Sequence, residues 1–187
     1  MSNVQNKKPT RTCSKIYANY SSFKNYLRND FNKKCGYCDD NDFYSGGSRG
    51  YHIDHFKPHS KFPSLKQTYS NLVYSCPYCN GAKSNKWKNS NGFIDPCKPE
   101  YNNHLERDKK GMIKFKTAQG KYIFENLNLG LKRHELLWCI DKLEEQKKYI
   151  NVLIDASNSP VKLNLLTAFR EVQNKIEEYT QLFREEI

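Results

Sequence analysis

Four of the seven cysteines in this chain fall in two Cys-x-x-Cys pairs, Cys35-Gly-Tyr-Cys38 and Cys76-Pro-Tyr-Cys79. Thiolates are soft ligands, and each such spacing lets two of them turn around one ion, so the pairs together make a tetrahedral zinc site. The pairs are 37 residues apart, more than the roughly 15–20 of a simple zinc ribbon. Closing the site therefore pins both ends of an inserted stretch. That stretch carries His52-Ile-Asp-His-Phe-Lys-Pro-His59 and Asn71, and Asn80 directly follows the last cysteine. Carboxylate and amide oxygens are hard donors suited to Mg²⁺. A neutral imidazole, with an unperturbed pKa near ~6.5, takes a proton from water at neutral pH. These residue types point to metal-assisted hydrolysis beside a structural zinc.

The order of the string narrows this. Asp54-His55, then Pro58, then Asn71-Leu72, then Cys76-x-x-Cys79-Asn80-x-x-Lys83 resembles the HNH endonuclease superfamily from Cys35 to Lys83, about a quarter of the chain. The resemblance implies an α+β fold with a ββα-metal core, two antiparallel strands and a helix around one divalent ion. It implies His55 as general base, Asp54 and Asn80 as ligands of Mg²⁺ or Mn²⁺, and Asn71 as the group that orients His55. For Asn80 an N-cap of the following helix is the alternative role, and for Asn71 a turn residue. Lys83 and Lys86, with Lys57 and Lys61 opposite, are expected to hold the phosphates flanking the scissile one. His52 shares strand parity with Asp54, so it either faces the site or packs; His59 ranks below it.

Outside the motif, Phe93-Ile-Asp-Pro96, Asn102–His104, Asn126-Leu-Asn-Leu129 and the terminal helices resemble, more weakly, the HNH component of Septu-type and retron-linked bacterial anti-phage systems. That likeness implies a nuclease effector beside an ATPase partner. The expected substrate is DNA, with RNA open, cut with little sequence preference because no base-reading element is evident. One ββα-metal site cuts one strand, so double-strand cleavage calls for a homodimer or two visits. The competing class is a zinc-stabilised nucleic-acid-binding or assembly subunit that is inactive without its ATPase partner.

Charge supports a polyanionic ligand. The net charge is +11, from 31 Lys/Arg against 20 Asp/Glu. Residues 1–100 hold 16 basic and 7 acidic groups, whereas residues 151–187 hold 4 and 6. The positive field thus sits with the cysteine module. No stretch approaches the ~18 apolar residues of a membrane span, and residues 1–9 lack the apolar run of a signal peptide, so the expectation is a cytoplasmic protein with no membrane partner. Mean hydropathy is -0.91, lean for a self-sufficient core, and a structural metal would supplement it.

The elements that must position these groups follow from periodicity. Residues 1–33 are expected as a frayed basic tail and an amphipathic helix, the latter over 14–30 from apolar residues every three or four positions. Residues 34–90 form the core: a Gly/Ser turn at 44–50 linking two hairpin strands, the second being 51–56, and a helix over 80–88. Residues 91–187 hold a long connection, a short hairpin over 112–124, and two helices broken at Ser157-Asn-Ser-Pro160 that make a helical hairpin.

Overall fold

The computed structural model describes residues 1–186, which divide into two compact units, Met1–Leu131 and the residues from Lys132 on. The first unit is built around a two-stranded antiparallel ribbon, β1 (His52–His55) and β2 (Leu72–Ser75), with His52 opposite Ser75 and His55 opposite Leu72. β2 is buried along its whole length, so it serves as the floor of the unit. Helix α1 (Lys24–Asp30) lies on one side of β2, and Phe23, Leu27 and Phe31 are inside the core with Val73 and Tyr74. Helix α2 (Pro77–Lys83) follows β2 directly. Its start is set by Cys76, whose Sγ accepts from Cys79 N at 3.3 Å, and Pro77 fits the first turn because that position needs no N–H.

Several elements differ from the periodicity reading. The helix expected over 14–30 shrinks to a 3₁₀ turn, Tyr20–Phe23, and α1. Asn19 caps that turn by accepting from Ser21 N, and Ile16, counted as part of the apolar stripe, is 95% exposed. A local side-chain cap outweighed a hydrophobic period. Residues 44–50 do not link two hairpin strands. They form short 3₁₀ turns, held where Asp42 takes Arg28 Nε at 2.6 Å and the Tyr74 hydroxyl at 2.8 Å. The partner of β1 is β2, brought back by the 56–71 loop. The helix expected over 80–88 begins and ends earlier, since Ser84 at φ +46° stops it.

The tail is not frayed. Val4 and Gln5 are buried, Ser2 bridges Arg107, and Gln5 Nε2 donates to Gly36 O at 2.7 Å and Pro96 O at 3.0 Å. Arg11, in the basic tail, is ion-paired to Asp95 at 2.8 Å and donates to Leu72 O. The connection over 89–107 contributes Phe93, Tyr101 and Leu105 to the core, with α3 (Tyr101–His104) leading into β3 (Leu105–Arg107). β4 (Ile113–Phe115) pairs back to β3 rather than forward. Thr117 then caps α4 (Ala118–Asn126) by accepting from Gly120 N, so Gly120 is a helix residue and not a turn. Glycine is needed there for another reason: a Cβ would meet His104 O at 2.1 Å.

The second unit is the expected helical hairpin, α5 (Lys132–Ala156) and α6 (Ser159–Glu185), packed on each other. Ser157 and Asn158 break the chain, and Pro160 sits in the first turn of α6. Among the described residues no helix is long and apolar enough to cross a membrane.

Candidate active site and zinc knuckle

Cys35, Cys38, Cys76 and Cys79 are buried, and their Sγ atoms all lie within 4.8 Å of one another. With Zn–S near ~2.3 Å, the edge of a tetrahedral site is about 3.8 Å, and Cys38 Sγ to Cys76 Sγ is 3.8 Å. The donors therefore fit zinc in number, softness and spacing. None of the seven cysteines forms a disulfide. Gly36 permits the first knuckle to turn against the core, because a Cβ there would stand 2.6 Å from the Phe31 ring and 2.9 Å from Val73. Burial holds the thiols of Cys38 and Cys79 well above the usual range, whereas Cys35 is brought well below it by hydrogen bonds from the other three that overcome its own burial. A cation among the four supplies the charge that thiolates need there.

The two cysteine pairs flank the β1–β2 ribbon, and α2 starts at the second pair. β1 carries Asp54 and His55, β2 leads to the second knuckle, and α2 carries Asn80 and Lys83. Asp54, His55 and Asn80 line one cleft of about 350 Å³, with Tyr20, Pro58, His59, Ser84 and Asn85 around it. Asn80 is not the helix cap, which is Cys76; it sits inside α2. Its side chain is thereby available to the cleft.

His55 Nε2 is 2.9 Å from Lys66 O. A carbonyl only accepts, so Nε2 carries the proton and the neutral ring keeps its lone pair on Nδ1. Burial lowers the imidazole pKa, and the neighbours His59, Lys83 and Lys66 push the same way against the pull of that carbonyl. The ring is thus kept neutral and basic at neutral pH, as a general base requires. Tyr20 and His59 meet it edge-on, at centroid distances of 4.7 and 4.9 Å.

Asn71 is buried but makes no hydrogen bond to the His55 ring. Its Oδ1 accepts from Lys57 N at 2.9 Å, and its Nδ2 donates to Lys57 O at 3.0 Å and Leu65 O at 3.3 Å. It ties the 57–65 loop closed, and that loop presents Lys66 O to His55.

Lys83 is the largest departure from the sequence reading. Its side chain is fully buried, with Nζ 3.1 Å from Asp54 Oδ1, 2.9 Å from Oδ2 and 2.7 Å from His55 O. It faces inward rather than toward a phosphate. Burial raises the Asp54 pKa and lowers that of Lys83, each opposed by the other's charge. Lys57 lies over the Phe62 and Trp87 rings, at 5.5 and 5.9 Å, while Lys61 and Lys86 are exposed. His52 is exposed and does not line the cleft, in spite of its parity with Asp54.

Sequence reasoning missed Tyr20, which lines the cleft, and Tyr37, whose hydroxyl donates to Asp54 Oδ2 at 2.5 Å. It undervalued His59. For His59 the signal was the string itself. For the two tyrosines there was none, because contacts made across 17 residues or more leave no periodic trace.

Comparison with known proteins agrees with this geometry. The family model described as HNH endonuclease matches residues 35–86. The chain is similar to Septu protein PtuB of Bacillus thuringiensis, 25% identical over 138 residues, covering 67% of this chain and 52% of that protein. It is also similar to Septu protein PtuB of Bacillus mycoides (28% identical; 54% of this chain, 43% of that one). Septu protein PtuA of the same species is 27% identical, covering 56% of this chain and 18% of that protein. The chain thus spans about half or less of the length of the relatives it matches. No solved structure matches. With the β1–β2 ribbon between the two halves of a four-cysteine site, α2 starting at the second half, and the family match over the same segment, residues 35–86 are an HNH endonuclease-family domain.

Proposed function

We propose that this protein is a metal-dependent endonuclease that hydrolyses DNA phosphodiester bonds with little sequence preference, as the nuclease effector of a Septu-type anti-phage system working beside an ATPase. The observation that carries the reading is the cleft in which a buried, neutral-biased His55 stands beside the oxygen donors Asp54 and Asn80. The relatives' names support the system, and the charge of +11 supports a nucleic-acid substrate.

In this mechanism His55 Nδ1 accepts a proton from water, whose oxygen attacks phosphorus as the bond to the 3′ oxygen breaks; the departing 3′ alkoxide takes a proton from solvent, leaving 5′-phosphate and 3′-hydroxyl ends, and His55 returns its proton to solvent. Asp54 and Asn80 hold Mg²⁺ or Mn²⁺, which when bound polarises the phosphate and stabilises the departing oxygen. Lys83 keeps Asp54 ionised and in place, and Asn71 fixes the loop whose carbonyl sets the His55 tautomer. Lys57, Lys61 and Lys86 hold flanking phosphates. Zinc fixes the start of α2 and hence the placement of Asn80.

The test is nicking of supercoiled plasmid by the zinc-loaded protein with Mg²⁺ or Mn²⁺, beside His55→Ala shown to keep its zinc and its melting temperature. Cleavage by the wild type alone supports the proposal. Equal cleavage by both refutes His55 as base. If neither cuts, and adding an ATPase that co-purifies does not restore cutting, the chain is a binding subunit.

A further inference from the structure

The first zinc knuckle reaches the catalytic carboxylate directly. Tyr37 lies between the two cysteines of the pair, is fully buried, and gives its hydroxyl to Asp54 Oδ2 at 2.5 Å. The backbone on which it rides is held carbonyl by carbonyl from outside the motif. Gly36 O accepts from Gln5 Nε2 at 2.7 Å, Tyr37 O from the Tyr101 hydroxyl at 2.7 Å, and Cys38 O from Arg107 Nη2 at 2.5 Å. Gly36 N donates to Tyr74 O at 2.8 Å. Three donors from distant segments thus hold the knuckle's backbone in place, and a phenol has only two torsions of its own.

From this arrangement we infer that Tyr37 is a positioning residue for the reaction: it fixes the Asp54 carboxylate in its metal-binding rotamer and so links the structural zinc to the affinity of the catalytic ion. The inference rests on the metal role proposed above for Asp54. A carboxylate offers about four lone-pair sites. Tyr37 takes one on Oδ2 and Lys83 bridges both oxygens, so the remaining capacity has one direction left open. A group bound there gains from a carboxylate that does not rotate, as outer-shell partners of metal ligands do elsewhere. The same contact explains why the tail and the 101–107 segment belong to this unit: they brace the arm that carries Tyr37.

The experiment titrates Mn²⁺ into the zinc-loaded protein without nucleic acid, read by electron paramagnetic resonance of free Mn²⁺. It compares wild type, Tyr37→Phe and Tyr74→Phe. Tyr74 is an equally buried tyrosine bonded to Asp42 instead, so it controls for loss of any buried tyrosine–aspartate bond. The expected result is a Mn²⁺ dissociation constant about 10-fold higher for Tyr37→Phe, an unchanged one for Tyr74→Phe, and full zinc in both. Wild-type affinity in Tyr37→Phe, with the wild type binding and cutting normally, overturns this inference alone. Equal weakening in both variants also overturns it, by making the effect general loosening. A wild type that binds no Mn²⁺ overturns the metal role of Asp54 and this inference with it. Should Tyr37→Phe fail to hold zinc, 3-fluorotyrosine placed at Tyr37 keeps the hydroxyl. Its ¹⁹F resonance must move on adding Mg²⁺, and a stationary signal overturns the inference.

Discussion

Replacing Lys83 by methionine separates its two possible roles, because the new side chain keeps the volume and the apolar stem but loses the charge. In the structure Nζ is fully enclosed, 2.9 Å from Asp54 Oδ2 and 2.7 Å from His55 O. At an effective dielectric of ~20, the Coulomb attraction at that separation is about 5–6 kcal/mol. Burial nevertheless shifts Asp54 up and Lys83 down, so removal from water outweighs the attraction and the intact pair adds little net stability. Removing one partner is a different matter, since it leaves the carboxylate buried with no counter-charge, at about 3–5 kcal/mol. At roughly 3 °C per kcal/mol for a unit of this size, Lys83→Met lowers Tm by about 9–15 °C. The assay is thermal unfolding by circular dichroism of the zinc-loaded protein at pH 7, beside Lys86→Met, whose side chain is exposed. Lys86→Met should leave Tm within about 2 °C and reduce the salt dependence of DNA binding by about one ion. Adding Asp54→Asn to Lys83→Met should return about half of the lost stability, because no buried charge remains. A Lys83→Met protein that melts with the wild type yet loses both nicking and one ion of salt dependence would refute the reasoning and make Lys83 a phosphate contact.

The loop and knuckle give further tests. Asn71→Ala strips partners from Lys57 N, Lys57 O and Leu65 O, which should cost about 1–3 kcal/mol; nicking should fall at least ~10-fold as His55 loses its fixed carbonyl, and a normal rate at unchanged stability would count against loop-borne orientation. Stripping zinc with a chelator should abolish near-ultraviolet dichroism and nicking together, and Zn²⁺ but not Mg²⁺ should restore both, since the four buried thiols supply much of the fold energy. Gly36→Ala forces a methyl to 2.6 Å from the Phe31 ring and should destabilise by about 1–3 kcal/mol with weaker zinc retention; zinc-exchange rates equal to wild type would contradict that packing.

What could be known from the chain alone was chemistry with a short or fixed spacing. Cys-x-x-Cys twice, Asp54-His55, and Asn80 beside Cys79 are local patterns, and metal coordination or a strand–helix junction turns them into geometry with few alternatives. The terminal helices were legible for a related reason, a sustained 3.6-residue period interrupted at Ser157-Asn158, with Pro160 opening the second helix. Boundaries failed where a single side chain settled the matter: Asn19 and Thr117 cap what periodicity had read as helix interior and hairpin. Tertiary structure alone decided the partner of β1, the inward turn of Lys83, the bonding of Asn71 to the loop backbone, and the docking of the tail through Gln5. Each depends on contacts between residues far apart in sequence, where burial converts an exposed-looking lysine or tyrosine into a buried donor. No composition or spacing encodes which carboxylate or carbonyl will be waiting when the chain closes on itself.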